Sequence, residues 1–350
     1  MAELSLPAQQ KRGMVHPLRG RTHAVSHVGW LVVSVLALAV CGRGPRGRPE
    51  DAPAEPVPPQ ETSGSSSQTR TQMRNLDLVI AEGVRLRVRY LNGWSVRVRP
   101  DTPVILDDKN SFLIEVDDAE TFVDYESLSR LMNEYVFAFE GAPIRDLEIT
   151  QEEDEDQRDL VELNGHLTSA LGTPFEIEGR PEVTPDGDLR IRTTDIQAFD
   201  IEVEGLLDLL GLEAEDMIPS LEERGVRVEG DNVVLVLDRL MPPPRMSGRA
   251  SEVQVLSSGL LIRLGNHGSG GSIDEGGGNY LYYRGGTIRI GKMTMHDADL
   301  RILDEKPDDP FDFSVDRLNE QLQAGYAKLQ PDGGLIMHVP DLGTIADSAR

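Results

Sequence analysis

The sequence predicts an α+β fold made of long antiparallel strands with a few amphipathic helices. Three observations carry that prediction. Apolar and polar residues alternate in long runs such as VRLRVRYLNGWSVRVRP, the period of a half-buried strand. Turn dipeptides, Asn92-Gly93 and Asp186-Gly187 among them, separate such runs. Between the runs lie short stretches with apolar residues three and four apart, the helical spacing. At 350 residues the chain suffices for two average domains or one large β-rich one. Only 5% of residues are aromatic, so the core rests on Leu, Val and Ile.

The first segment reads as an export signal. Gly29–Val40 is an apolar run, interrupted only by Ser34, that follows Arg19 and Arg21 and ends at Cys41, the one cysteine of the chain. A bilayer span needs about 20 apolar residues, and this run is shorter. A basic region, an apolar run and a cleavage site are the layout of a secretory signal peptide. Leu38-Ala39-Val40-Cys41 resembles a bacterial lipobox, in which the cysteine becomes the lipid-carrying N-terminus, although Val40 stands where a small residue is usual. The expected boundaries are 1–41 for signal and lipobox, with lipidation at Cys41, and Met1 or Met14 as the start. An uncleaved short anchor, or a plain signal peptide with Cys41 incidental, is the alternative.

Residues 42–72 are dominated by Pro, Gly and Ser and read as a disordered tether. The folded part is expected from Met73. Its first hairpin is placed at Asn92-Gly93, between strands centred on Leu86 and Val96. Strands follow over 111–123, 145–150 and 158–168. Between the first two, the segment 124–141 predicts a helix capped by Asp124 and closed by Gly141. Another strand pair turns at Asp186-Gly187, two short helices run to Gly225, and a hairpin turns at Gly230-Asp231-Asn232. Pro242-Pro243-Pro244 cannot donate to a ladder and marks a strand end or sheet edge. The hairpin SEVQVLSSGLLIRLG closes this region. Residues 265–278 form a Gly-rich loop, and 279–350 add strands and a helix with Val315, Leu318, Leu322 and Tyr326 on one face.

Charge and chemistry narrow the function. The formal net charge is -25, and it lies beyond the net-positive first forty residues. Such a body repels phosphate backbones, so nucleic acid is not an expected partner. With a single thiol and histidines scattered without companions at ligand spacing, neither metal nor cofactor is expected. The acidic run Glu152–Asp159 lacks the ligand alternation of a calcium loop. No Gly-x-Ser-x-Gly elbow and no phosphate-binding loop occurs, so no enzyme is expected.

Through 174–264 the order is strand pair, GLLDLLGL helix, GVRVEGDNVVL hairpin, Pro-rich crossing and terminal hairpin. This order resembles the LmeA-like family of bacterial cell-envelope phospholipid-binding proteins, which are similar in turn to tubular lipid-binding (TULIP) folds. The resemblance implies a long, curved antiparallel sheet wrapped around amphipathic helices and enclosing an apolar groove, over a domain at 73–264, with 279–350 as a β-rich and helical extension. GGTIRIGKMTMHDADLRILD also looks like strands of envelope lipid-transfer proteins. The candidate ligand-lining residues are Leu128, Leu131, Met132, Tyr135 and Phe139 of one helix and Leu206, Leu209 and Leu210 of the next; the same stripes suit a plain core. The expected function is an exported, membrane-anchored, non-catalytic protein that binds a phospholipid or other apolar ligand in the cell envelope or periplasm. The alternative is an envelope scaffold or interaction lipoprotein with a filled core, whose protein partner the sequence does not name. If Cys41 carries the lipid, Cys41→Ser moves the protein from the membrane to the soluble fraction, and mass spectrometry finds acyl mass on the wild-type cysteine only.

Overall fold

The computed structural model describes residues 68–151, 159–168, 172–198, 205, 221–265 and 278–348. Cys41, the leader, the tether to residue 67, the acidic run 152–158, Leu206, Leu209 and Leu210, and the Gly-rich stretch 266–277 lie outside the described residues. The described part is β-rich, with a curled sheet and few helices.

Alternation sets the first two strands, β1 (Gln68–Ala81) and β2 (Val84–Arg97), which pair antiparallel over nearly their whole length. Leu76, Leu78, Leu86 and Val88 face the core, and Asp77, Arg85 and Arg87 face outward. Two expectations are corrected here. Strand β1 begins at Gln68 rather than Met73, and Thr69, Thr71 and Gln72 are buried. The chain also turns at Glu82-Gly83, where Gly83 has φ +71°, and runs straight through Asn92-Gly93. A glycine is needed at 93 for another reason: any Cβ there would collide with the carbonyl oxygen of Glu115 on the next strand.

That next strand is β4 (Phe112–Asp124), reached through the two-residue β3 (Val104–Ile105). The β2–β4 register slips twice, leaving Arg89 and Asp117 as the extra residues. Bulges of this kind bend a strand and sharpen its twist, which suits a curled sheet. Helix α1 (Tyr125–Leu131) starts where the Asp124 carboxylate accepts from the Ser127 amide at 2.7 Å. It continues as a π-helical turn over Met132–Val136 and stops there, short of the expected Gly141.

A six-stranded sheet follows. It comprises β5 (Ile144–Gln151), β6 (Val161–Leu167), β7 (Pro174–Val183), β8 (Leu189–Ala198), β9 (Val226–Glu229) and β10 (Asn232–Leu235), in the order β5-β6-β7-β8-β10-β9. Gly187 (φ +84°) turns β7 into β8, as the Asp-Gly step predicts. The single turn α2 (Leu237–Leu240) and the Pro run lead to β11 (Met246–Ser247), then β12 (Ala250–Leu256) and β13 (Gly259–Gly265).

The last seven strands are β14 (Tyr280–Arg284), β15 (Thr287–Ile290), β16 (Met293–His296), β17 (Asp299–Asp304), β18 (Phe311–Ser314), β19 (Tyr326–Leu329) and β20 (Leu335–Val339). They are not an appendage. Among the described residues, the main sheet has eleven strands, nine of them in the order β12-β13-β4-β2-β1-β14-β17-β20-β19, and five of the eleven are C-terminal ones. The expected 315–326 helix is corrected too. Only α3 (Leu318–Ala324) is helical, while Tyr326 belongs to β19 and is 46% exposed. Gly325 separates them, where a side chain would strike the His338 carbonyl of β20.

One edge of β1 is shared by two partners. Residues 70–74 pair antiparallel with β14, and residues 76–79 pair parallel with β18. Asn75 stands at the change with φ +51°, a conformation that asparagine tolerates. Its side-chain amide donates to Asn279 Oδ1 at 2.7 Å, and Asn279 donates to Asp304 Oδ2 at 2.7 Å and to the Asp309 carbonyl.

The outward face of the main sheet is laced with ion pairs. Arg89 donates to the Glu120 carboxylate from β2, and Arg263 donates to it from β13 at 2.8 Å. Partial burial pushes the Glu120 carboxyl up, but the bonds from Arg263 and Arg89 outweigh it and hold the group below its ordinary value of 4.5. Its contribution to stability is therefore present above that value and lost as pH falls through the lowered one. Glu120→Gln should melt at a lower temperature than wild type at neutral pH. The gap should narrow as pH falls past the ordinary glutamate value and close only below the lowered one, as followed by circular dichroism across a pH series.

Candidate apolar recess

The residues that the sequence nominates for ligand lining sit mainly in packed core. Leu128 (6% exposed), Leu131 (1%) and Met132 (4%) are buried in the apolar cluster that also takes in Leu86, Val88 and Ile149. Tyr135 and Phe139 are half-buried against it. The Tyr135 carbonyl accepts from Arg224 Nη1 at 2.7 Å, and the Arg224 guanidinium lies 5.0 Å from the Phe139 ring centroid. Leu206, Leu209 and Leu210 lie outside the described residues.

The polar side of α1 is occupied as well. Asn133 Nδ2 donates to the Leu147 carbonyl at 2.7 Å, while its Oδ1 accepts from the Leu147 amide at 2.8 Å. Ser129 Oγ accepts from the Ile149 amide at 2.9 Å. These side chains take the place of a neighbouring strand along the free edge of β5. Tyr125 ties the start of the helix to β12 through a 2.8 Å bond to the Leu256 carbonyl, and burial pushes its phenol up to about 12. A helix fixed on both sides is a wall, not a lid.

The apolar recess that does occur lies elsewhere. Leu86, Leu91 and Val123 of the main sheet line it, with Ile262 and Leu264 of β13 and Val116 of β4. The segment 237–248, a strap from the six-stranded sheet to the main one, adds Leu237, Met241, Met246, Ser247 and Gly248. Thr121 also lines it, and its hydroxyl is satisfied by the Ile262 carbonyl at 3.2 Å. The strap hydrogen-bonds to both sheets: the Leu237 amide donates to Asp188 Oδ1 at 3.3 Å, and the Ile114 amide to the Arg245 carbonyl at 2.8 Å. The recess holds about 60 Å³, room for two waters at ~30 Å³ each. Ligand pockets hold roughly 300–1,000 Å³, so a lipid chain enters only if the strap yields. Met241 and Met246 are the flexible, polarisable side chains best able to do so.

Sequence reasoning missed this site. Its signal was Met241 and Met246 flanking the Pro run, a feature read above only as a strand end. Beside the recess runs an open cleft of about 760 Å³, whose lining includes Glu115, Asp117, Asp186, Asp188, Asp238 and Arg249. No group of three or more His, Cys, Asp or Glu side chains positioned to hold a metal occurs among the described residues. Nor, among them, is any helix long and apolar enough to cross a membrane. Comparison with protein-family models, curated proteins and solved structures returned no match for this chain.

Leu131 tests the packed α1. In a filled core, Leu131→Ala costs about 2–5 kcal/mol and Leu131→Glu unfolds the body, both read in urea melts. A near-wild-type melt for Leu131→Glu would place the residue beside open space instead.

Proposed function

We propose that this chain is a non-catalytic protein of the bacterial cell envelope, exported and held at a membrane through lipid on Cys41, which takes up a phospholipid or other apolar ligand. The observation that supports this reading is the apolar recess between strap and sheet. Its lining comes from β2, β4, β13 and the strap, and the Thr121 hydroxyl among them is already satisfied. An apolar chain placed there loses water-exposed surface without stranding the Thr121 hydroxyl, the physical basis of such binding. The resemblance through 174–264 points the same way, since it covers the strap and β13. On this reading the α1 stripe is scaffold, and ligand specificity belongs to Met241, Met246 and Ile262.

A second reading has its own observation. Leu128, Leu131 and Met132 are packed core, and the recess is small. Both suit an envelope interaction lipoprotein with a filled interior and no ligand. Uptake of a fluorescent phospholipid by the full chain separates the two. Lipid capture that falls at least tenfold in Ile262→Phe, with the melting temperature held within a few degrees, supports the recess. No uptake by the wild-type protein leaves the scaffold reading.

A further inference from the structure

The polar surroundings of the recess narrow the kind of occupant, on the reading that the recess takes an apolar chain. Recess and cleft share Val116, Ser247 and Gly248 as lining, so this stretch of β4 and strap is the rim between them. At the rim Gly248 packs closely on both walls: a Cβ there would lie 3.1 Å from Val116 Cβ, tighter than ordinary contact, and 3.5 Å from Leu264 Cδ2.

Once the strap yields and a chain enters the recess, the head of that amphiphile meets the cleft. Five carboxylates line it: Glu115, Asp117, Asp186, Asp188 and Asp238. Two are held by the backbone around the strap, Asp188 by the Leu237 amide and Asp238 by the Gly248 amide at 3.2 Å. Arg70 pairs with Asp117 at 2.7 Å, and Arg249 is the cationic side chain of the lining. Two cations against five carboxylates leave the cleft negative. Heads of net negative charge, a carboxylate or a phosphate with no ammonium beside it, are repelled there. An ammonium head is attracted, and the open cleft lets it keep much of its water, so it avoids the desolvation cost of a buried ion pair.

We infer that the recess and cleft together select an amphiphile with a single apolar chain and a cationic ammonium head. Charge complementarity of the cleft commits the site to this class over anionic lipids of equal chain length.

The test compares dodecylammonium with dodecanoate, both below their micelle concentrations, by titration calorimetry on the full chain. Wild type is expected to bind the ammonium about tenfold more tightly, a preference that shrinks as salt screens the cleft. Asp186→Asn combined with Asp238→Asn keeps the oxygen that accepts from Gly248 and should bring the two ligands close to equal. Gly248→Val fills the rim and should weaken both; Ile262→Phe, which fills the recess from β13, should do the same if Gly248→Val fails to fold. Equal affinities in wild type, or tighter binding of dodecanoate, overturn the charge selection while the recess stands. Ammonium binding unaffected by Gly248→Val and Ile262→Phe also overturns it, as simple surface pairing. Binding of neither ligand removes the recess reading itself.

Discussion

The free edge of β5 is the constraint around which this fold is arranged. An unpaired strand edge offers backbone donors and acceptors that invite association with other chains. Here Ser129 of α1 and Asn133 of the π-helical turn that continues it take them, through Ile149 and Leu147. The bonds orient α1 about its axis, and that orientation sends Leu128, Leu131 and Met132 into the core. Asp124 starts the helix directly at the end of β4, so cap, zip and apolar stripe reinforce one another. With the helix committed on two sides, space for a ligand has to come from another element, and the strap provides it.

Much of this arrangement was legible in the sequence, and the failures have physical causes. Asp124 reads correctly as a cap because its carboxylate needs only the amide three residues on, a local matter. Asp186-Gly187 reads correctly for the same reason. Asn92-Gly93 misleads because its glycine answers a long-range demand, the close passage of Glu115 from β4, which no local pattern records. The helix expected through Tyr326 fails similarly, since Gly325 is required by β20. The start at Gln68 was hidden by polar composition: Thr69, Thr71 and Gln72 are buried, with Thr71 bonded to Ser95 at 2.7 Å. The α1 stripe was found, but periodicity cannot tell a packed face from a ligand wall. The recess draws on four separated stretches of chain, and single-sequence patterns do not assemble those.

Charge is distributed unevenly over this acidic chain. On the outward sheet face arginines and carboxylates interleave, as in the Arg89–Glu120–Arg263–Glu252 run across three strands and β12. Opposite charges so placed cancel locally and spare the surface a strong field. In the cleft beside the recess, carboxylates outnumber cations. The net charge of -25 is thus less informative than its local imbalance.

The change of partner at Asn75 bears on how the chain reaches its native state. Asn75 and Asn279 lie 204 residues apart, yet the edge of β1 is complete only when β14 and β18 have reached it. Contacts that distant demand closure of large loops before they return any stabilisation, which slows folding. During synthesis the first strand therefore waits, one edge open, until nearly all the remaining chain has emerged. Strand β1 is thus among the last to have both edges paired, and it depends most on whatever shields that edge in the interval.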